Sequence, residues 1–137
     1  MDCILWRDEY SVNVQLIDDQ HKHFIDILNE VIGCIPPAQG KKDLGVLIEQ
    51  LSEHVDVHFG TEESYFDQFH CTDIEEEEHR ERHREFRERV ADLKQRYADG
   101  QTDLIMELAS MMGDWIVRHI MTYDKRYVAC FNEHGLH

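Results

Sequence analysis

The sequence lacks the features that would direct it to a membrane or to nucleic acid. No run approaches the roughly 20 apolar residues of a membrane-spanning helix, and the N-terminal residues lack the basic and apolar regions of a signal peptide. Only 14 lysines and arginines stand against 29 acidic residues, which gives a formal net charge of −15. Because nucleic acids and membrane surfaces are anionic, they repel such a chain. We therefore expect a cytoplasmic protein that binds neither of them.

Cysteine is also scarce, and its four occurrences are far apart in the sequence. Cys3, Cys34, Cys71 and Cys130 form no Cys-x-x-Cys pair, the spacing typical of zinc and thiol redox motifs. Disulfides are rare in the cytosol because the thiol pool there keeps cysteines reduced. The sequence therefore predicts four reduced thiols.

Helical periodicity dominates the rest of the chain, which is long enough for one domain spanning residues 1–137. Apolar residues recur three and four positions apart, the spacing of one face of a helix, and no alternating strand pattern occurs. Residues 1–17 are expected to form an irregular arm. The helices are predicted at roughly residues 18–34, 41–66, 73–98 and 102–130. Four such helices with short loops predict an all-α, antiparallel up-down-up-down four-helix bundle.

Turn and cap residues set the predicted helix ends. Pro37 lies in the loop after the first helix, and Gly100 closes the third. Thr72 and Glu75 have the Thr-x-x-Glu spacing of a capping box at the start of the third helix. Thr102 is expected to cap the fourth helix.

Five histidines and two carboxylates interrupt the apolar faces of these helices. They are His21, His58, Glu62, His79, His83, His119 and Asp124. In an up-down-up-down bundle the starts of the first and third helices meet the ends of the second and fourth, and all seven residues fall at that end. The alternative, seven unrelated core residues with separate hydrogen bonds, does not explain their common level. We therefore predict one buried cluster that must be satisfied internally.

The residue types in this cluster favour a metal site. Imidazoles and carboxylates without a thiolate suit iron, and also manganese, zinc or copper. If Glu62 and Asp124 both bridge two metals together with one solvent-derived oxygen, five histidines split three and two and leave one open position. An open position suits a small diatomic ligand. Asp124 fits least well, because a spacing of five residues places it about 140° around a regular helix from His119.

The motifs His21, His58-x3-Glu62, His79-x3-His83 and His119-x4-Asp124, in this order, resemble the ligand signature of the hemerythrin family. The likeness is greatest to the single-domain bacterial members, the bacteriohemerythrins. It implies two iron ions, bridged by Glu62, Asp124 and an oxo or hydroxo group, that bind dioxygen reversibly. It also implies that His79, His83 and His119 hold the saturated iron, and that His21 and His58 hold the iron with the open position. The dry oxygen pocket implied by the resemblance consists of Phe24, Phe59, Trp115, Ile116 and Ile120.

Three classes of function remain open at this stage. The first is dioxygen binding without catalysis, as a carrier, store, scavenger or sensor. The second is a di-iron redox enzyme acting on dioxygen, peroxide or nitric oxide, and the third is an iron- or redox-responsive interaction module. Di-iron oxygenases usually have carboxylate-rich sites. The histidine-rich set with a single vacancy therefore favours binding, with no catalytic residue.

The remaining histidines are not assigned to the metal. His54 lies one turn before His58, and two alternatives stay open for it. It is either a partly buried histidine with a hydrogen bond of its own, or a group that supports or replaces a ligand. The others, expected to be exposed or outside the helices, are His23, His70, His134 and His137.

Overall fold

Four long helices form the body of the protein in a computed structural model that describes residues 1–36, 42–72 and 75–137. They are α1 (Gln15–Gly33), α2 (Leu44–Phe69), α3 (Glu76–Ala98) and α4 (Ile105–Thr122), followed by a 3-10 turn (Asp124–Tyr127) and a short α5 (Val128–Glu133). Helix α1 packs against α2 and α4, and α2 packs against α3. These described ranges contain no strand, and the predicted antiparallel bundle is confirmed. None of the described helices is long and apolar enough to cross a membrane.

The N-terminal arm is fixed to α1 by a buried aspartate. Helix α1 begins at Gln15 rather than at residue 18, so Asp18 lies within its first turns. The carboxylate of Asp18 turns back to the arm, where it accepts hydrogen bonds from the Ser11 hydroxyl at 2.6 Å and the Val12 N–H at 2.9 Å. Val12 is completely buried. The part of the arm next to α1 therefore belongs to the core. The regular structure of the arm is limited to a 3-10 turn at Asp8–Tyr10.

Helix α2 begins and ends later than predicted. Its first residue is Leu44, and the carboxylate of Asp43 caps it by accepting a hydrogen bond from the Val46 N–H at 2.9 Å. Its last residue is Phe69, followed by His70 in the left-handed region with φ 50°. The prediction for Pro37 falls outside the described residues. Gly60, within this helix, faces solvent, and a Cβ atom there would meet nothing within 4 Å.

Of the two end motifs predicted for α3, the structure has the one at the C-terminal end and lacks the one at the N-terminal end. The Thr72–Glu75 capping box does not form, because Glu75 itself precedes the helix and its carboxylate accepts a hydrogen bond from Arg126 at 2.9 Å. The prediction for Gly100 agrees with the structure, which gives it φ 102°. At this end the N–H of Gln101 bonds the carbonyl of Arg96 at 3.0 Å, the pattern of a Schellman motif.

Helix α4 is shorter than predicted at both ends. Leu104, not Thr102, precedes its first turn, and no side chain caps it. The helix stops at Thr122 instead of continuing to residue 130, and the chain changes to a 3-10 turn that carries Asp124. This break places α5 back over the end of α2, where Phe131 packs against Phe66 and Phe69.

A disulfide joins the end of α2 to α5. It links Cys71 with Cys130, whose Cα atoms are 6.0 Å apart, whereas Cys3 and Cys34 are free. The expectation of four reduced thiols was therefore wrong for one pair. The partners are 59 residues apart in the sequence and meet only because α5 folds back. The cytoplasmic location stays a prediction, since disulfides are uncommon in reducing compartments.

Candidate metal centre

The four helices bring all seven predicted residues to one end of the bundle. Each of these side chains is at most 3% exposed. His21 lies in α1, His58 and Glu62 lie in α2, and His79 and His83 lie in α3. His119 lies in α4, and Asp124 lies in the 3-10 turn. Their nitrogen and oxygen atoms form two groups that share Asp124.

The first group consists of His79, His83, His119 and Asp124, with ligand atoms all within 4.8 Å of one another. The Nε2 atoms of His79 and His119 are 3.1 Å apart, and both face Oδ1 of Asp124, at 2.9 and 3.2 Å. Two imidazole nitrogens that face each other cannot both carry a proton comfortably. A cation between them and the carboxylate satisfies all three atoms.

The second group consists of His21, His58, Glu62 and Asp124, within the same limit of 4.8 Å. Nε2 of His21 lies 3.0 Å from Oδ2 of Asp124, and Nε2 of His58 lies 3.0 Å from Oε1 of Glu62. Glu62 also reaches towards the first group, since its Oε2 is 3.9 Å from Nε2 of His79. The two carboxylates therefore lie between a group with three imidazoles and a group with two.

The end of α4 changes the path of the chain just before Asp124. On a regular helix Asp124 would point away from His119, but α4 stops at Thr122 and a 3-10 turn begins at Asp124. The N–H of Tyr123 still bonds the His119 carbonyl at 2.8 Å, whereas the N–H of Arg126 bonds Tyr123 in the tighter i to i+3 pattern at 3.1 Å. On this path Oδ1 of Asp124 lies 3.2 Å from Nε2 of His119.

Gln20 orients one of the histidines and was not singled out from the sequence. Its Oε1 lies 2.7 Å from Nδ1 of His58, and its Nε2 donates to the Thr61 hydroxyl at 3.1 Å. Because an amide oxygen only accepts, Nδ1 of His58 carries the proton and Nε2 presents its lone pair to the cluster. The only sequence signal was a polar residue directly beside His21.

Two further polar side chains near the cluster were missed. Glu63 lies 3.7 Å from Nδ1 of His83, beyond direct hydrogen-bond distance, and Arg87 contacts the same carboxylate at 3.2 Å. The hydroxyl of Tyr127 is fully buried, and burial together with the charges of Asp124 and Glu62 raises its pKa well above the usual value. Tyr127 therefore stays a neutral phenol beside two carboxylates.

Two ionised carboxylates lie at the centre of the cluster. Burial raises the pKa of Asp124, but the neighbouring imidazoles, His119 first, outweigh it and hold the pKa well below its usual range. The pKa of Glu62 is likewise lowered, chiefly by His58, against burial and the charge of Asp124. Both carboxylates are thus ionised at 0% exposure. Isolated buried charges of this kind are very costly unless they are paired or bind metal.

The imidazoles respond in different directions. Burial lowers the pKa of His58 and of His119 below the usual value, which favours the neutral form that binds metals. Burial acts the same way on His83, but Glu62 and Glu63 raise its pKa to about 9. Burial also opposes protonation of His21, which the nearby carboxylate of Asp124 favours, with a net rise in pKa. A bound cation would displace the proton from His83 and from His21.

Unpartnered atoms at the centre support the same conclusion. Several buried side-chain atoms there have no hydrogen-bond partner of acceptable geometry. They include Nε2 of His21, His58 and His83, and both oxygens of Glu62 and of Asp124. These are nitrogen and oxygen donors of the type that iron accepts. The residues present therefore fit two metal ions.

Aromatic rings pack against the histidines of the cluster. Phe59 stacks on His83 with ring centres 4.0 Å apart, and Trp115 stacks on His119 at 4.1 Å. Phe24 lies 5.8 Å from Trp115. Four of the five predicted pocket residues are buried, namely Phe24, Phe59, Ile116 and Ile120. Trp115 is only partly buried, because its edge lines a surface cleft together with His119.

His54 belongs to neither metal group. Its Nε2 donates to the backbone carbonyl of Gln20 at 2.9 Å, and burial lowers its pKa to about 4. It is therefore a neutral histidine with a hydrogen bond of its own, the first of the two alternatives. His23 is exposed, as predicted.

Comparison with known proteins identifies the family. Residues 12–131 match the family described as the hemerythrin HHE cation binding domain. The chain belongs to the hemerythrin family. The resemblance inferred from the seven residues is thereby confirmed, and with it the expectation of a di-iron site.

Several characterised hemerythrins are similar over nearly their whole length. The bacteriohemerythrin of Methylococcus capsulatus is 27% identical over 124 residues, 90% of this chain and 92% of the relative. The myohemerythrin of Sipunculus nudus is 28% identical over 126 residues, 92% of each chain. A crystal structure of a hemerythrin mutant has a TM-score of 0.82 and 25% identity, and the match covers 95% of this chain and 98% of the other. The hemerythrin fold thus extends along the chain and includes the arm and the segment after α4.

Proposed function

We propose that this hemerythrin binds dioxygen reversibly at two iron ions held by the seven clustered side chains, as a carrier, store or sensor. The observation that carries the proposal is the pair of buried groups that share Asp124. Reduced iron would supply the electrons that dioxygen takes up on binding and returns on release. No residue of the cluster is assigned a catalytic role, and the single domain is taken to span residues 1–137.

The two groups differ in their number of imidazoles, and this sets the expected side of dioxygen binding. We assign His79, His83 and His119 to one iron and His21 and His58 to the other, with Glu62 and Asp124 between the two. The second iron has one protein ligand fewer. Dioxygen is therefore placed on the side of His21 and His58.

The surrounding residues have separate tasks in this proposal. Gln20 holds the ring of His58 so that Nε2 faces the centre. Phe24, Phe59, Ile116 and Ile120 exclude water, since all four are at most 1% exposed. A dry surrounding slows reactions that need water or protons, including irreversible oxidation of the iron. These features support reversible binding rather than turnover of a substrate.

The test is metal analysis combined with absorption spectra through several cycles of nitrogen and air. We expect two irons per chain and a coloured ligand-to-iron band that appears with dioxygen and disappears under nitrogen. Iron that oxidises once without recovery would contradict reversible binding and point to a redox enzyme, a sensor or an unprotected pocket. A chain that cannot hold stoichiometric iron would contradict the site as well as the function.

A further inference from the structure

The Cys71–Cys130 disulfide lies at a surface cleft at the ligand end of the bundle. The cleft has a volume of about 280 Å³ and is lined by both cysteines and by His70, Arg126 and His134, among others. Cys71 is 9% exposed and counts among the buried residues, whereas Cys130 is partly exposed. A small molecule that enters the cleft therefore meets the sulfur of Cys130 first.

His134 is positioned beside the accessible sulfur. Its Nδ1 lies 3.8 Å from Sγ of Cys130 and 2.8 Å from the Cys130 carbonyl, to which it donates. The ring stacks on Phe69 with centres 4.4 Å apart, so it has little freedom to turn away. Arg126 and Glu133 line the same cleft, and the guanidinium of Arg126 is paired with Glu75. His134 is therefore the group placed to act on the sulfur, because a histidine beside a sulfur stabilises its thiolate form.

We propose that Cys71–Cys130 is a thiol-exchange site for a small thiol of the glutathione class. The thiolate of the small molecule bonds to Sγ of Cys130, the protein disulfide breaks, and Cys71 leaves as a thiolate that takes a proton from solvent. A second small thiol then attacks the mixed disulfide and releases Cys130 as a thiolate. Two electrons pass from the two small thiols, which end as their disulfide, to the two cysteines.

Thiol exchange at this site removes a covalent restraint on the two segments that carry the carboxylates of the metal centre. Cys71 follows the helix that carries Glu62, and Cys130 follows the turn that carries Asp124. In the reduced chain, the segment after α4 keeps the packing of Phe131 on α2 and the Arg126–Glu75 ion pair, but it loses its covalent link to the end of α2. The reduced form therefore opens more readily around Asp124. The effect on iron rests on the proposed function, whereas the thiol chemistry does not.

The first experiment counts all thiols of the iron-loaded full chain before and after incubation with reduced glutathione, with acid quenching and unfolding before each count. We expect two thiols before, from Cys3 and Cys34, and four afterwards. Mass spectrometry of the trapped intermediate should place glutathione on Cys130. Cys34→Ser is the matched control and should lower both counts by one. Four thiols at the start, or two throughout although the unfolded chain is reduced, would overturn the proposal.

The role of His134 is tested by His134→Phe, which keeps the stacking on Phe69 and removes the nitrogen. We expect the exchange rate to fall by about tenfold, while His137→Phe in the same tail leaves it unchanged. An equal rate in both variants would show that His134 does not assist.

The last experiment distinguishes the effect of the disulfide from the effect of the metal. Amide exchange of residues 124–133 should be faster in the reduced than in the oxidised chain, in both iron-loaded and metal-free protein, while α1 changes little. Iron release to a chelator should also be faster in the reduced chain. Faster amide exchange with unchanged iron release would keep the thiol site and refute its link to the metal centre. Amide exchange that is the same in the reduced and oxidised chains, with and without iron, would show that the disulfide does not restrain this segment.

Discussion

Nδ1 of His58 lies 2.7 Å from Oε1 of Gln20, and this contact fixes which nitrogen of His58 faces the metal centre. Gln20 is itself held by Thr61, whose hydroxyl accepts from its amide at 3.1 Å. Hydrogen bonds to the outer nitrogen of a metal-binding histidine fix its tautomer and raise its basicity. The proposed iron site at His21 and His58 therefore depends on a residue outside the cluster of seven.

Gln20→Leu should weaken iron binding because it removes the acceptor that orients His58. Loss of such a contact typically costs about 10- to 100-fold in metal affinity. Affinity is measured by competition with a chelator, and Gln15→Leu on the exposed face of α1 is the control. Equal affinities of the two variants would show that His58 needs no orientation.

His58→Ala and His79→Ala should each impair a different iron. His58 and His79 belong to different groups in the structure, so each variant should retain close to one tightly bound iron per chain. The His58 variant should also lose the dioxygen-dependent absorption band, since it removes a ligand on the proposed binding side. Iron content and spectra are the measurements, with the exposed His23→Ala as control. Unchanged iron content in both variants would contradict the assignment.

Removal of metal should loosen the ligand end of the bundle more than the opposite end. Without cations, two buried carboxylates and several imidazole nitrogens lose their partners, a cost of several kcal/mol by analogy with other buried polar groups. We expect a lower melting temperature by calorimetry and faster amide exchange around His79 and Asp124. Exchange near Gly100, at the other end, serves as the internal reference. Uniform loss of protection would instead indicate global unfolding.

Stability should fall in mild acid through His54. Burial, followed by the charges of the His58 and His23 rings, lowers the pKa of His54 from 6.5 to about 4 in the folded chain. The unfolded chain therefore takes up a proton first, so stability is complete above pH 6.5 and decreases as the pH falls towards 4. Because solvent partly reaches the ring, we expect about 1–2 kcal/mol rather than the full linkage value.

The test of this dependence compares the iron-loaded wild type with His54→Gln, which cannot titrate. The melting temperature of the variant should decrease less than that of the wild type between about pH 7 and pH 4.5. Parallel curves would rule out His54 as a source of acid sensitivity.

The helix faces and the common level of the seven residues were predictable because both follow from local periodicity and bundle topology. Residues such as His21 and His83 interrupt apolar stripes, and nothing outside their own helices is needed to see this. The direction of the Asp124 side chain was not predictable from helical spacing, since no glycine or proline marks the break at Tyr123.

Contacts between distant segments account for the other misses. Gln20 looks like a surface residue until α2 places His58 and Thr61 against it. The Cys71–Cys130 pair depends on the return of α5, and a spacing of 59 residues gives no signal of its own. The role of Asp18 could not be predicted either, because its partners Ser11 and Val12 lie in an arm without periodicity. In each case the deciding partner lies on another segment.

The 3-10 turn at Asp124–Tyr127 makes the chain unequally tolerant of changes in length. One residue inserted between His119 and Asp124 would rotate the carboxylate by about 100° and shift it by about 1.5 Å. No side-chain rotamer corrects a displacement of that kind, so both irons would lose their shared ligand. An insertion beside Gly100, in the connection from α3 to α4 at the far end, leaves every ligand in register. We therefore expect functional versions of this chain to tolerate length variation at the end away from the proposed metal site.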